Sequence, residues 1–226
     1  METIKMQVIA KIRNDYKSKF GIPRQSGLVN ALQSTIVFEP EFRNAEALRG
    51  LEGFSHLWLI WHFSEATKEN WSPTVRPPRL GGNTRIGVFA TRSPYRPNPL
   101  GLSSVKIINI EQTQKLGTVI HVAGADLMDG TPIFDIKPYL PYSDSHDDAT
   151  GGFTSNADDF LLQVVIPPDL LTKVPFDKHV ALKDVLSHDP RPSYQKDSDR
   201  IYGISFGDNN IRFTVKEGVL TVCEVN

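Results

Sequence analysis

Along most of the chain, apolar residues recur at alternate positions in short runs, with glycine and proline between the runs. That pattern predicts strands rather than long helices. The runs at 3–10, 34–38, 54–63, 85–91, 104–110, 119–123 and 133–139 read as seven strands. One helix is expected over 44–51, where Phe42, Ala45, Leu48 and Leu51 recur every three residues on one side, with Gly50 and Gly53 to close it. Seven short strands with little helix between them predict an antiparallel barrel or sandwich. No Gly-x-Gly-x-x-Gly follows the first strand. A dinucleotide site or a Rossmann-type methyl-donor site is therefore not expected.

A polar, glycine-bearing seam follows over 143–156. The second unit opens over 160–171, partly helical around Pro167 and Pro168. It closes with three alternating runs, Tyr202-Ile204-Phe206, Ile211-Phe213-Val215 and Leu220-Val222. Gly207-Asp208-Asn209-Asn210 and Lys216-Glu217-Gly218 separate them, which predicts a three-stranded meander. No internal repeat or low-complexity tract is visible.

Composition narrows the class. The 226 residues are 39% hydrophobic and 23% charged, with a mean hydropathy of -0.27, ordinary for a soluble globular chain. No run approaches the roughly 18 apolar residues of a membrane span. The N-terminus, Met-Glu-Thr-Ile-Lys-Met-Gln, has no export signal, so a cytoplasmic location is expected. The lone Cys223 excludes an intrachain disulfide and a cysteine zinc cluster. A net charge of -1 means that a nucleic-acid partner would need a local basic face.

Such a face is encoded. Residues 70–110 hold Arg76, Arg79, Arg85, Arg92, Arg96 and Lys106 with no Asp or Glu, a charge of +6, whereas 126–159 carries eight Asp against Lys137, a charge of -7. Two readings stay open: an Arg system gripping phosphate or carboxylate through planar forks, or two blocks that pair with each other. Within the basic block, Thr91-Arg92-Ser93-Pro94-Tyr95-Arg96-Pro97-Asn98-Pro99 cannot be helix. It is a stiff loop presenting Arg92, Arg96 and Asn98, and preorganisation of that kind lowers the entropic cost of binding.

In the acidic block, Asp129-Gly130-Thr131-Pro132 reads as a turn. After it, Phe134, Ile136 and Pro138 are expected on one strand face, with Asp135, Lys137 and Tyr139 on the other. The second set could act on a ligand or form a solvated face with an Asp–Lys pair. His56 and His62 share a strand face but lie about 20 Å apart, too far for one metal ion. No Ser-His-Asp constellation is specified.

Several stretches resemble the TrmO family of S-adenosylmethionine-dependent tRNA methyltransferases, which have a TsaA-like barrel. They are 20–29 (Phe-Gly-Ile-Pro-Arg-Gln-Ser-Gly-Leu-Val), 51–60 (Leu-Glu-Gly-Phe-Ser-His-Leu-Trp-Leu-Ile), 89–101, 126–142 and, near the C-terminus, 188–194 (His-Asp-Pro-Arg-Pro-Ser-Tyr). The resemblance implies a mainly β chain: a single-sheeted antiparallel β-barrel over 1–145, a linker at 146–156 and a smaller α+β domain over 157–226. It implies a homodimer that methylates N6 of threonylcarbamoyladenosine beside the tRNA anticodon. For the donor pocket it points to Pro23, Arg24, Gln25, His62, Phe63, Arg92, Leu102, Asp129, Gly130, Thr131 and Pro132.

The residue chemistry suits that task. Arg24 or Arg92 would hold the donor carboxylate, and Asp129 a cation or a ribose hydroxyl. The ureido nitrogen is a poor nucleophile, so Asp135 is the expected base, with Lys137 or Tyr139 assisting. Arg76, Arg79, Arg85 and Arg96 would contact RNA phosphates, and Arg191 and Tyr194 would stack on loop bases. The alternatives are a non-catalytic RNA-binding module and, with little support, a small-molecule hydrolase using His56 or His62.

Overall fold

The computed structural model describes residues 2–65, 71–77, 80–155, 161–191 and 197–226. Among them run β1 (Ala10–Arg13), β2 (Gln33–Phe38), β3 (His56–His62), β4 (Thr74–Val75), β5 (Ile86–Gly87), β6 (Leu100–Thr113), β7 (Gly117–Ala123), β8 (Pro132–Pro138), β9 (Gln163–Val165), β10 (Tyr202–Phe206), β11 (Asn209–Lys216) and β12 (Val219–Val225). The helices are α1 (Pro141–Asp144), α2 (Pro168–Leu171) and α3 (His179–Ser187). The protein is mainly β, in several sheets rather than one.

β3 shows why these runs become strands. Leu57, Leu59 and Trp61 point into a core while His56, Trp58, Ile60 and His62 alternate outward. The order β1-β2-β7-β6-β3-β8 closes on itself, every pairing antiparallel, as a closed barrel. β6 is long enough to serve two neighbours. Its first half pairs with β3, its second half with β7, and the ladder shifts register between Ile107 and Asn109. β8 closes on β1 through only two residue pairs.

The register of β8 against β3 shifts between Ile60 and Trp61. This bulge overturns the simple alternation expected after Pro132. Ile133 is fully buried and Ile136 packs on the same core, while Phe134 is only partly buried, its ring 6.0 Å from that of His62.

A four-stranded sheet, β10-β11-β12-β9, forms a second core with α3. Its meander is the one expected. Glu217 and Gly218 both have positive φ between the paired Lys216 and Val219, the geometry that a two-residue hairpin needs. β9 adds in parallel to β12. Tyr16, Val29 and Leu32 also belong to this second core, and Lys178 pairs with Asp15 at 2.6 Å. The C-terminal sheet is thus built onto the chain that follows β1.

Three local expectations change. The run at 3–10 reaches strand geometry only at Ala10. Of 85–91, only Ile86–Gly87 is strand, paired with β4, before a 3₁₀ turn at Val88–Ala90. The helix expected over 44–51 is a pair of 3₁₀ turns, Ala45–Leu48 and Leu51–Gly53. Their three-residue period is the spacing of Phe42, Ala45, Leu48 and Leu51.

Candidate active site

At one end of the barrel, β3 and β6 meet through an aromatic–glycine pair. Trp61 and Gly101 are cross-strand partners, and the indole lies directly over the glycine. The ring also packs on Phe63 at 4.2 Å between centroids. Trp61 Nε1 donates to Ser103 Oγ at 2.9 Å, and that hydroxyl donates to Asp126 Oδ1 at 2.5 Å. An aromatic donor, a hydroxyl and a carboxylate therefore stand in a line, with Trp61 and Ser103 buried.

The loop after β7 brings up a further wall. Gly124 has φ +77, and a Cβ there would press the Gly27 backbone at 3.1 Å. Gly27 N donates to Gly124 O at 2.8 Å, which draws the 23–27 segment over the barrel mouth. The proline loop closes the far side. Arg96 Nη1 donates to Thr91 O at 2.9 Å, and Arg92 Nη1 donates to Gln25 Oε1 at 2.5 Å, bridging two walls.

These walls enclose a cavity of about 860 Å³. Pro23, Arg24, Gln25, His62, Phe63, Arg92, Leu102 and Thr131 line it, together with Arg96, Asp126 and Met128. Asp129, Gly130 and Pro132 are not among its lining residues. Asp129 instead accepts from Asn14 N at 3.0 Å and pairs with Lys17 Nζ at 2.8 Å. Burial opposes its charge, but the bonds from Lys17 and Asn14 outweigh it and hold the carboxyl below the ordinary aspartate range. Asp126, three residues earlier, goes the other way. Burial raises its pKa, opposed by the Ser103 hydroxyl, backbone amides and the charge of Arg92.

A second cavity, about 1480 Å³, adjoins the first and shares Arg24, Gln25, Phe89, Thr91, Arg92, Pro94 and Tyr95 with it. Arg24, Arg76, Arg85 and Arg92 line it, with no Asp or Glu among its described lining residues. Arg85 Nη1 is steadied by Thr74 Oγ1 at 3.0 Å. Beside it, Phe89 is 73% exposed and pairs with Trp71 at 6.2 Å. No salt bridge among the described residues joins the basic block to the acidic one.

The other expected site residues fall elsewhere. Asp135 and Lys137 share an outer strand face and pair with each other at 3.0 Å, while Tyr139 packs on Trp58 at 5.6 Å. None of the three lines either cavity. Arg191 makes a two-pronged bond to Asp189, at 2.7 and 2.8 Å, and lies over Tyr202. Arg79 and Tyr194 lie outside the described residues. Asp126, Ser103 and Trp61 were not singled out from sequence. Asp126 stands in the 126–142 motif, but only the fold distinguishes it from Asp129.

Comparison with known proteins is decisive about kinship. The model of the tRNA-methyltransferase O N-terminal domain matches residues 11–145, and that of the TrmO C-terminal domain matches 169–226. The chain belongs to the TrmO family. It is 40% identical over 225 residues to a tRNA (adenine(37)-N6)-methyltransferase of Escherichia coli K12, spanning 96% of this chain and 95% of that protein. A Pseudomonas aeruginosa relative, 39% identical over 215 residues and covering 91% of this chain and 90% of its own length, is described by its S-adenosylmethionine dependence. A crystal structure of TrmO from Pseudomonas aeruginosa superposes with a TM-score of 0.78 at 30% identity, covering 100% of both chains. The first cavity, with the glycine-backed indole and the proline loop, lies within the TrmO N-terminal match, and the second lies within it except for the part of its wall formed by 150–154.

Proposed function

We propose that this TrmO-family chain is an S-adenosylmethionine-dependent tRNA methyltransferase acting on N6 of threonylcarbamoyladenosine beside the anticodon. One observation carries the reading. A cavity of ligand size opens directly onto a second whose described charged lining is all arginine.

The donor has an adenosine, a sulfonium, an amine and a carboxylate, and the residues suit each. Arg24 and Arg92 offer forks for the carboxylate, and Pro23, Phe63 and Leu102 offer apolar surface for the purine. The half-buried Asp126 places a negative charge in the same wall. Bound there, the donor supplies an electrophilic methyl carbon. The chain's own part is alignment and charge placement, which can provide most of the rate in an in-line displacement. The Arg92–Gln25 bond and the prolines of 94–99 hold the walls in place before substrate arrives.

Arg76 and Arg85 would grip phosphates of the anticodon loop, and the exposed Phe89 would stack on an unpaired base. A loop nucleotide is already single-stranded and needs little energy to extrude. Arg96 would act by bracing the proline loop through Thr91. Asp129, Gly130 and Pro132 would act indirectly, by setting the turn that carries Thr131 into the wall. In the homodimer that the resemblance implies, a second copy would have to bring Asp135, Lys137 and Tyr139 to a cavity before they could serve the reaction.

The division into 1–145, a linker at 146–156 and 157–226 belongs to the same reading, with Tyr16, Val29 and Leu32 lent to the second core. So does a cytoplasmic location; no helix among the described residues is long and apolar enough to cross a membrane. Mass spectrometry of the anticodon-loop nucleosides after incubation with tRNA and S-adenosylmethionine tests the proposal. The expected product is N6-methylated threonylcarbamoyladenosine. RNA binding without donor heat in calorimetry and without product would leave only an RNA-binding module, which the arginine cavity alone would also suit.

A further inference from the structure

Methylation of a ureido nitrogen needs a proton acceptor, and the acceptor expected from sequence, Asp135, is ion-paired on an outer face away from the cavity. Among the described lining residues the carboxylates are Glu65 and Asp126. Glu65 is exposed, and no hydrogen bond among the described residues fixes its direction. Asp126 is fixed. Ser103 Oγ donates to its Oδ1 at 2.5 Å, Trp61 Nε1 fixes that hydroxyl from behind at 2.9 Å, and the indole is itself wedged between Gly101 and Phe63.

We propose that Asp126 is the catalytic proton acceptor, held in aim by the Trp61–Ser103 relay. This rests on the methyltransferase reading above. The proton of the nitrogen passes to a carboxylate oxygen of Asp126. The electron pair of the N–H bond forms the new bond to the methyl carbon. The carbon–sulfur bond breaks, its pair stays on sulfur, and the sulfonium charge is discharged. Asp126 then returns its proton to water.

The surroundings agree. Burial pushes the Asp126 carboxyl up, which makes it a stronger acceptor, while Ser103, backbone amides and Arg92 keep it able to ionise. Asp129 in the same loop is held low, and such a split between neighbouring carboxyls separates an acid–base group from a structural one. The other described titratable groups are the buried Tyr16 phenol, which feels the charge of Asp126, and the cavity's Lys19, Arg24, Arg96, His62, Glu65 and Tyr95.

The test uses the full-length protein with Asp126→Asn, Asp126→Glu and Ser103→Ala. Single-turnover methylation should fall about 100-fold or more in Asp126→Asn, within the range of general-base catalysis. Donor affinity by calorimetry should fall at least tenfold less than the rate. Asp126→Glu should recover part of the loss. Ser103→Ala, with the carboxylate intact but unaimed, should be slowed about tenfold. In the free protein, carbon-13 NMR should find a carboxyl titrating above the ordinary aspartate range and absent from Asp126→Asn. The wild-type kcat/KM, which reports the groups of the free enzyme, should fall as pH drops through that same value. Equal losses of rate and donor affinity would make Asp126 a donor-binding or structural group and overturn the assignment. So would a full rate in Asp126→Asn, or an acid limb that does not match the NMR titration. A wild-type chain that neither binds donor nor methylates would remove the reading on which the assignment stands.

Discussion

Replacing Gly101 with alanine should damage both the fold and the site, and the size of the effect follows from the position of one ring. A Cβ at 101 would stand 2.2, 2.4 and 2.6 Å from three carbons of the Trp61 indole. Carbon atoms rest about 3.5–4.0 Å apart, so the ring would have to retreat by more than an ångström. It has little room, since it is 5% exposed and packed at a tilt against Phe63. Overpacking of this kind costs about 1–3 kcal/mol. Tilting the ring also breaks the bond to Ser103 in a buried place, which adds about 1–3 kcal/mol. At about 2–4 °C per kcal/mol for a chain of this size, the melting temperature should fall by roughly 5–20 °C. Differential scanning calorimetry measures the fall, and titration with S-adenosylmethionine reads the accompanying loss of donor affinity. Gly203→Ala on β10 is the control, because its nearest new contact would be an ordinary 3.8 Å. A melting point within about 2 °C of wild type, with donor affinity intact, would refute the claim that the glycine exists to seat the indole.

Arg92→Ala removes both a carboxylate fork and the bridge to Gln25, so donor affinity by calorimetry should fall about tenfold or more; unchanged affinity and rate would move the donor elsewhere. The double change Arg76→Ala with Arg85→Ala should weaken tRNA binding at every sequence while leaving donor binding alone. It should also make the slope of log affinity against log salt shallower by about 1.5; an unaltered slope would exclude the second cavity as the phosphate site. Asp129, ionised in the fold to lower pH than in the unfolded chain, contributes stability that is full above the unfolded pKa of about 3.9 and is lost as pH falls through the lower folded value. Asp129→Asn should therefore lower the melting temperature at neutral pH and converge with wild type in acid, whereas curves that stay parallel down to pH about 3 would contradict this.

Most strands were legible because their hydrophobic period was undisturbed. β3, β7 and the β10–β12 meander alternate cleanly between turn residues, and local pattern suffices for them. What was missed depends on distant partners or on a different period. β9 is a strand only because β12 lies beside it in parallel, a pairing that local pattern does not encode. α3 went unread although Ala181, Leu182, Val185 and Leu186 carry helical spacing, since nine residues give a weak periodic signal. The three-residue period at 42–51 is near enough to helical spacing to predict a short helix, and the structure resolves it as 3₁₀ turns.

The site divides in the same way. Pro23, Arg24, Gln25 and Arg92 were legible as motif residues, but the bond from Arg92 to Gln25 spans 67 positions, so their meeting was not. The choice between acidic residues was further out of reach. Asp126, Asp129 and Asp135 stand in one motif and look equivalent as letters, yet a turn gives Asp129 to Lys17 and a bulge leaves Asp135 with Lys137 on the outer face. Only Asp126 is turned into the cavity, behind a hydroxyl and an indole supplied by two other strands. An ionised carboxyl withdrawn in part from water is costly to the fold, and a chain that needed only a tie between loops could use a neutral amide there. Retaining the charge, and committing Trp61, Gly101 and Ser103 to aim it, makes physical sense where a proton has to be taken up.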